Sequence, residues 1–143
     1  MHPRPHPYPV SADARPEGTV TLSSPGLTAL DSAPPVEFDG PGDRWSPETL
    51  LVAAIADCYV LSFKAVASAS KFAWIALECS VHGKLDRIER VNLFTQFEIK
   101  ARLKLPPAAD QARAQQLLEK SKQVCLISSS LKSEIHLVTE ITT

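Results

Sequence analysis

The sequence predicts an α+β fold, with an antiparallel sheet curled against two helices. Three observations carry that prediction. Ten of the twelve prolines and four of the five glycines stand at or before Pro47, so the first third of the chain is not mainly helical. From Thr49 to about Ser70 there is neither glycine nor proline, and apolar residues lie almost all round the helix this implies. Beyond it, apolar residues recur at every second position, or nearly so, over two long stretches, which is the pattern of strands with one buried face.

In chain order, Tyr8 to Ala14 and Thr19 to Ser23 read as strands joined through the turn Arg15-Pro16-Glu17-Gly18. Leu27 to Leu30 reads as a third short strand, and Pro34 to Arg44 as a loop around Gly40-Pro41-Gly42. Ser46-Pro47-Glu48 opens the central helix with a serine cap, a proline at the first helical position and an acid in the first turn. Its apolar circumference (Leu50, Leu51, Ile55, Val60, Leu61, Phe63, Val66) places it inside the protein or inside an oligomer. Trp74 to Leu85 and Val91 to Leu105 are the alternating strands. Pro106-Pro107 ends the sheet segment and opens a second helix, from about Ala108 to Val124, with Ala114, Leu117, Leu118 and Ser121 on one stripe. Glu134 to Thr142 is a final strand. The 143 residues fit one domain, 1–143, with residues 1–7 as a mobile start.

A formal net charge of -1 gives no reason to expect nucleic acid or an anionic membrane as a partner. The most apolar run, Leu50 to Ala56, is ended by Asp57, short of the roughly 20 residues a membrane span needs. Met1 to Val10 lacks the apolar stretch of a secretion signal, so the expected location is cytoplasmic. The four histidines have no metal-ligand spacing, and there is no phosphate loop or dinucleotide glycine pattern, so no cofactor is expected.

The three cysteines, Cys58, Cys79 and Cys125, are odd in number and widely spaced, unlike the framework of a secreted mini-protein. In a reducing compartment a disulfide between two of them is transient and chemical rather than structural. Cys58 lies midway along the central helix, and Cys125 at the end of the second. Packed helices run about 8–10 Å apart and a disulfide needs Cα atoms within about 7 Å, which a close crossing allows. A cysteine often merely fills core space, and Cys79, on a strand among alternating apolar residues, reads that way. Cys58 and Cys125 keep more polar company: Asp57 precedes one, and Ser128, Ser129 and Ser130 follow the other. A reactive thiolate needs a cation or donors beside it, and Arg15 and Arg44, both in predicted turns or loops, are candidates.

The segment Ser46-Pro47-Glu48-Thr49-Leu50-Leu51-Val52-Ala53-Ala54-Ile55-Ala56-Asp57-Cys58 resembles the helix of the OsmC/Ohr family (osmotically inducible protein C and organic hydroperoxide resistance protein), and its OsmC-like branch in particular. In that family an asparagine or serine, a proline and a glutamate precede an alanine-rich helix carrying the peroxidatic cysteine. Val124-Cys125 resembles the site of the family's resolving cysteine, 67 residues beyond Cys58, and the similarity runs from about Tyr8 to Ile141. The resemblance implies curled antiparallel sheets packed around two central helices in an intertwined homodimer, with two active sites at the subunit interface. It implies a thiol peroxidase in which Cys58 attacks an organic hydroperoxide and Cys125 resolves the product as a disulfide. A dithiol reductant, a lipoylated protein in the Ohr branch, then restores both thiols.

In the family a glutamate at the position of Glu48 holds an arginine near the peroxidatic thiolate. Glu48 and Cys58 are ten residues apart on one helix, about 15 Å along its axis, so a site that uses both takes Glu48 from the other subunit. The plainer role for Glu48 is to complement the helix dipole. The arginine is where the sequence departs from the family. One branch carries it in the first hairpin turn, within Gly-Gly-Arg. Here that turn is Asp13-Ala14-Arg15-Pro16-Glu17-Gly18, with Arg15 displaced. The other branch carries it just before a Phe-acid-Gly stretch, and here Glu37 precedes Phe38-Asp39-Gly40. Arg44, four residues before Glu48, is the preferred arginine and Arg15 the alternative. Two other readings stay open: the same fold binding an apolar ligand, and a redox sensor whose disulfide alters a partner contact.

Overall fold

The computed structural model describes residues 2–143. Of the expected mobile start, residues 1–7, Met1 lies outside the described residues. The chain forms two compact units, one ending at Leu50 and the other spanning Leu51–Thr143.

In the first unit, β1 (Ser11–Asp13), β2 (Val20–Ser23) and β3 (Leu30–Ser32) form an antiparallel meander in the order β1-β2-β3. Gly18, at φ 93°, supplies the left-handed residue of the predicted first turn. β1 is shorter than the predicted Tyr8 to Ala14, since Pro7 and Pro9 have no N–H to donate to a ladder. β3 falls later than the predicted Leu27 to Leu30. The Leu27 N–H instead closes a turn on the Ser24 carbonyl at 3.1 Å, with Gly26 at φ 77°. The loop contains a 3-10 turn, Val36–Phe38, after which the Gly40 N–H donates to the Pro35 carbonyl at 2.9 Å.

Helix α1 runs Pro47–Ala69 and starts as the sequence predicts. The Thr49 N–H donates to Ser46 Oγ at 3.1 Å, and the Ser46 N–H donates back to Thr49 Oγ1 at 2.8 Å. This is a reciprocal capping box with threonine in the place usually held by Glu or Gln.

In the second unit, β4 (Ala76–Ile88) and β5 (Val91–Lys104) form a long antiparallel hairpin with Cys79 opposite Ala101 and an irregularity at Lys84/Leu85. β6 (Glu134–Thr142) lies on the other side of β5 and runs parallel to it, Phe97 opposite Ile135 and Leu103 opposite Ile141. The α+β class holds, but this pair departs from the expected all-antiparallel sheet. Between β5 and β6 the chain passes through α2 (Gln111–Val124) and α3 (Leu126–Ser129), and a helical crossover returns the chain in its original direction. α2 begins three residues later than predicted. Ala108 takes a left-handed φ of 66°, and Asp110 caps the helix by accepting from the Arg113 N–H at 2.9 Å.

The core of this unit joins Phe97, Ile99, Ala101 and Leu103 of β5 to Ile55, Tyr59, Phe63 and Ala67 of α1 and Ala114, Leu117 and Leu118 of α2. The rest of α1 is partly buried or exposed. Its most apolar 18-residue stretch has a mean hydropathy of 1.8, and 22% of that stretch is buried within the chain. By length and composition α1 could cross a membrane, whereas the sequence reading counted only the run up to Asp57.

Gly40 gives the first unit a sharp test. A Cβ there would overlap the Pro34 carbonyl and lie 2.9 Å from the Pro35 oxygen. Backbone obstacles of this kind cannot swing aside, so overpacking should cost about 2 kcal/mol or more. Gly40→Ala is expected to lower the thermal midpoint by roughly 5 °C or more in a calorimetric scan. An unchanged midpoint would show that this loop has slack.

Candidate active site

The buried face of α1 is a stripe with a four-residue step, Ile55, Tyr59, Phe63 and Ala67, all fully buried. Cys58 immediately precedes Tyr59, so it lies on the flank of that stripe and is half-buried. On α2 the buried stripe Ala114, Leu117, Leu118 and Ser121 continues at the same spacing to Cys125. Cys125 is 0% exposed. Its backbone, at ψ 104°, leaves the helical range, ends α2 and opens α3. The Cys125 carbonyl accepts from Ser128 Oγ at 3.2 Å and from the Ser129 N–H at 3.1 Å, which holds the cysteine in this corner.

Cys58 packs against the core that contains Cys125, close enough to bear on its titration, and both are free thiols. Burial raises the pKa of Cys125; the side chain and backbone of Ser128 pull it down, and Cys58 pushes it up again. Ser128, which the sequence marks only as polar company, bears on the Cys125 thiol.

Two further residues belong to this cluster. Tyr59 donates its hydroxyl to the Leu118 carbonyl at 3.0 Å, joining α1 to α2 inside the core. Burial first, then Cys79 and Cys125, raise its pKa above the ordinary phenol range. Cys79, half-buried on β4, is pushed up to about 11, first by burial and then by Cys125. By sequence Cys79 is a packed thiol on its strand, and Tyr59 has no expected role. The available signal for Tyr59 was its four-residue spacing from Ile55 and Phe63, which marks it as the one hydroxyl on an apolar stripe.

The other predicted site residues belong to the first unit. Glu48 is half-buried, and its Oε2 is shielded from solvent with no hydrogen-bond partner among the described residues. Arg44 is exposed and pairs with Asp43 at 3.3 Å. Arg15 is exposed in the turn after β1. No group of three or more His, Cys, Asp or Glu suited to a metal occurs among the described residues. A groove of about 1070 Å³ between α2 and β6 is lined by polar residues including Glu98, Glu119, Lys122 and His136. Neither Cys58 nor Cys125 lines it, and no residue of α1 does.

This geometry defines a class: an α+β protein whose two helices bring a fully buried cysteine against a half-buried one. The chain belongs to the OsmC-like protein family, which it matches over residues 40–140. It is 27% identical over 123 residues to the uncharacterized protein YmaD of Bacillus subtilis, across 84% of this chain and 81% of that one. Its fold is similar to that of an OsmC-like protein of unknown function from Vibrio cholerae, at a TM-score of 0.86 and 12% identity, over 94% of this chain and 99% of the other. It is also similar to an organic hydroperoxide resistance protein OsmC from Legionella pneumophila, at a TM-score of 0.75 and 22% identity, over 96% and 98% of the two chains.

The raised Cys79 pKa sets a pH dependence. A thiol whose pKa is higher in the folded than in the unfolded chain stabilises the fold below the unfolded value, and that stability is lost as pH rises through the folded value. The window here runs from about 9 to about 11. The denaturation midpoint should fall across that window, and Cys79→Val should make the fall shallower. Superimposable pH profiles for parent and variant would rule out this contribution.

Proposed function

We propose that this protein is a two-cysteine thiol peroxidase that reduces organic hydroperoxides. The single observation that carries the reading is the packing of Cys58 against the core that holds Cys125, 67 residues away in sequence. Cys58 attacks as thiolate, being the more accessible of the two. It takes the distal oxygen of R–O–OH; the O–O bond breaks, and the alkoxide leaves as alcohol after gaining a proton. The product is a sulfenic acid on Cys58. Cys125 attacks that sulfur, the S–O bond breaks, water leaves and a disulfide forms. An external dithiol then reduces the pair by exchange. A lipoylated protein is a suitable donor. The cycle calls for no metal, haem or flavin, and a cytoplasmic location would supply the reductant.

The arginine and Glu48 belong to the same proposal. Glu48 offers a shielded carboxylate oxygen with no partner among the described residues, which suits an incoming guanidinium. Arg44 remains the preferred source and Arg15 the alternative. Such an arginine would stabilise both the thiolate and the charge developing on the peroxide oxygens.

A second copy of the chain completes the proposed site. α1 leaves part of its apolar surface uncovered, Leu61 being exposed, and carries exposed Asp57 and Lys64, charges that are costly inside a bilayer. A homodimer burying more than about 2,000 Å² in total would cover it. Each site would take both cysteines from one chain and Glu48 from the other.

Cys58→Ser is expected to abolish turnover of cumene hydroperoxide with a dithiol, and Cys79→Ser to leave it nearly intact. Non-reducing peptide mapping of peroxide-treated parent should recover a Cys58–Cys125 bridge. Full activity in Cys58→Ser would overturn the enzymatic reading, and a reversible bridge without turnover would favour a redox sensor.

The shared site is tested by complementation. Inactive Cys58→Ser chains and inactive Glu48→Ala chains are unfolded and refolded together. A mixed dimer has one site with both lesions and one with neither, so activity should return. A monomer at micromolar concentration that turns over peroxide would exclude sharing.

A further inference from the structure

We propose that Tyr59 is a positioning residue that sets the reach between Cys58 and Cys125. The inference rests on the reading of those cysteines as attacking and resolving thiols. Cys58 is the covalent neighbour of Tyr59, and Cys125 lies seven residues, about two helical turns, beyond Leu118. The hydroxyl of Tyr59 donates to the Leu118 carbonyl at 3.0 Å, and both residues are 0% exposed. This bond ties the two helices that carry the two sulfurs, at a point adjacent to one sulfur and in line with the other.

The position is unusual in two respects. A mid-helix carbonyl is already the natural acceptor of the N–H four residues on, so Leu118 gains Tyr59 as a second donor. The rest of the α1 stripe, Ile55, Phe63 and Ala67, is hydrocarbon and gives packing that tolerates sliding. A directional hydrogen bond fixes both the rotation and the height of one helix against the other. Ser121 supplies an internal contrast. Its hydroxyl is equally buried but bonds within α2, to the Leu117 carbonyl at 2.7 Å, so it cannot set the distance to α1.

The function of such a tie is specific to one chemical step. Attack of a thiolate on peroxide needs Cys58 and substrate alone. Closure of the disulfide needs Cys125 to reach the sulfenic acid on Cys58 before a second peroxide does. Tyr59 should therefore govern closure and leave the first oxidation unchanged.

The test is Tyr59→Phe in the full chain, with Ser121→Ala as control. Oxidation of Cys58 and closure of the bridge are followed separately, by quenched mass spectrometry after one equivalent of cumene hydroperoxide, with dimedone to trap sulfenic acid. In Tyr59→Phe the first step should stay within about twofold of the parent. Closure should slow by about tenfold or more, with dimedone-labelled Cys58 accumulating, since small misplacements of reacting groups have effects of this size. Ser121→Ala should close at the parental rate. 4-Aminophenylalanine in place of Tyr59, which keeps a donor at the same point, should restore closure. If Tyr59→Phe fails to fold, 4-methylphenylalanine at that position fills the hydroxyl's space without donating and is judged by the same criteria. Closure at the parental rate in a folded variant, equal slowing of both steps, or equal slowing in Ser121→Ala would each overturn the proposal. If the parent forms no Cys58–Cys125 bridge, the peroxidase reading falls and takes this inference with it; if the parent closes and the variant closes as fast, only the role of Tyr59 falls.

Discussion

Burial of the stripe Ile55, Tyr59, Phe63 and Ala67 is the constraint on which the second unit depends. Fully burying an aromatic or branched side chain is worth about 1.5–3 kcal/mol, so three such residues in one line outweigh any alternative rotation of the helix. Phe63 also meets Trp74 edge to face, with ring centroids 5.3 Å apart, which ties the end of the helix to the chain entering β4. With the stripe turned inward, Cys58 has only the flank to occupy. The sheet answers with its own period. Phe97, Ile99, Ala101 and Leu103 face the same core at alternate positions of β5.

The same constraint makes the two cysteines chemically unequal. Cys125 ends the buried stripe of α2 and has no exposed surface, while Cys58 keeps some. Desolvation favours the neutral thiol, and Ser128 offsets it only in part. On the proposed cycle this division suits the roles. An accessible sulfur meets the peroxide, and a sheltered one holds its proton until the sulfenic acid stands beside it. Cys125 is close enough to raise the Cys79 pKa, yet β4 fixes Cys79 on the sheet and burial keeps it in the thiol form.

Much of the frame was legible because it rests on local rules. Ser46-Pro47 marked the start of α1, alternation marked β4 and β5, and Glu134–Thr142 appeared as a strand with the bounds read from sequence. The parallel pairing of β6 was not legible, since a strand's alternation carries no direction and only the crossover through α2 and α3 supplies it. The late start of α2 depended on a left-handed Ala108, a residue type with no preference for that region. In the site, the two helix-borne cysteines stood out by their polar company and by the family resemblance, whereas the spacing of Tyr59 marked only its stripe. What its hydroxyl meets, the Leu118 carbonyl 59 residues away, carries no local sequence signal.

What one chain leaves undone points in a single direction. α1 is apolar almost all round, yet one chain buries only part of it. Water is a poor partner for the remainder. A bilayer is a worse one, because Asp57 and Lys64 interrupt the uncovered surface and neither end of the helix lies close enough for Asp57 to reach a headgroup region. A protein surface can accept both kinds of group, apolar side chains in its centre and charges at its rim. Glu48 adds a separate demand, since its shielded oxygen lacks a donor among the described residues, and a polar atom shielded from water without a partner is costly. On the proposed reading a second copy of the chain would meet both demands at once: it would cover apolar helix with apolar helix, and the assembly would let an arginine, Arg44 or else Arg15, reach the carboxylate.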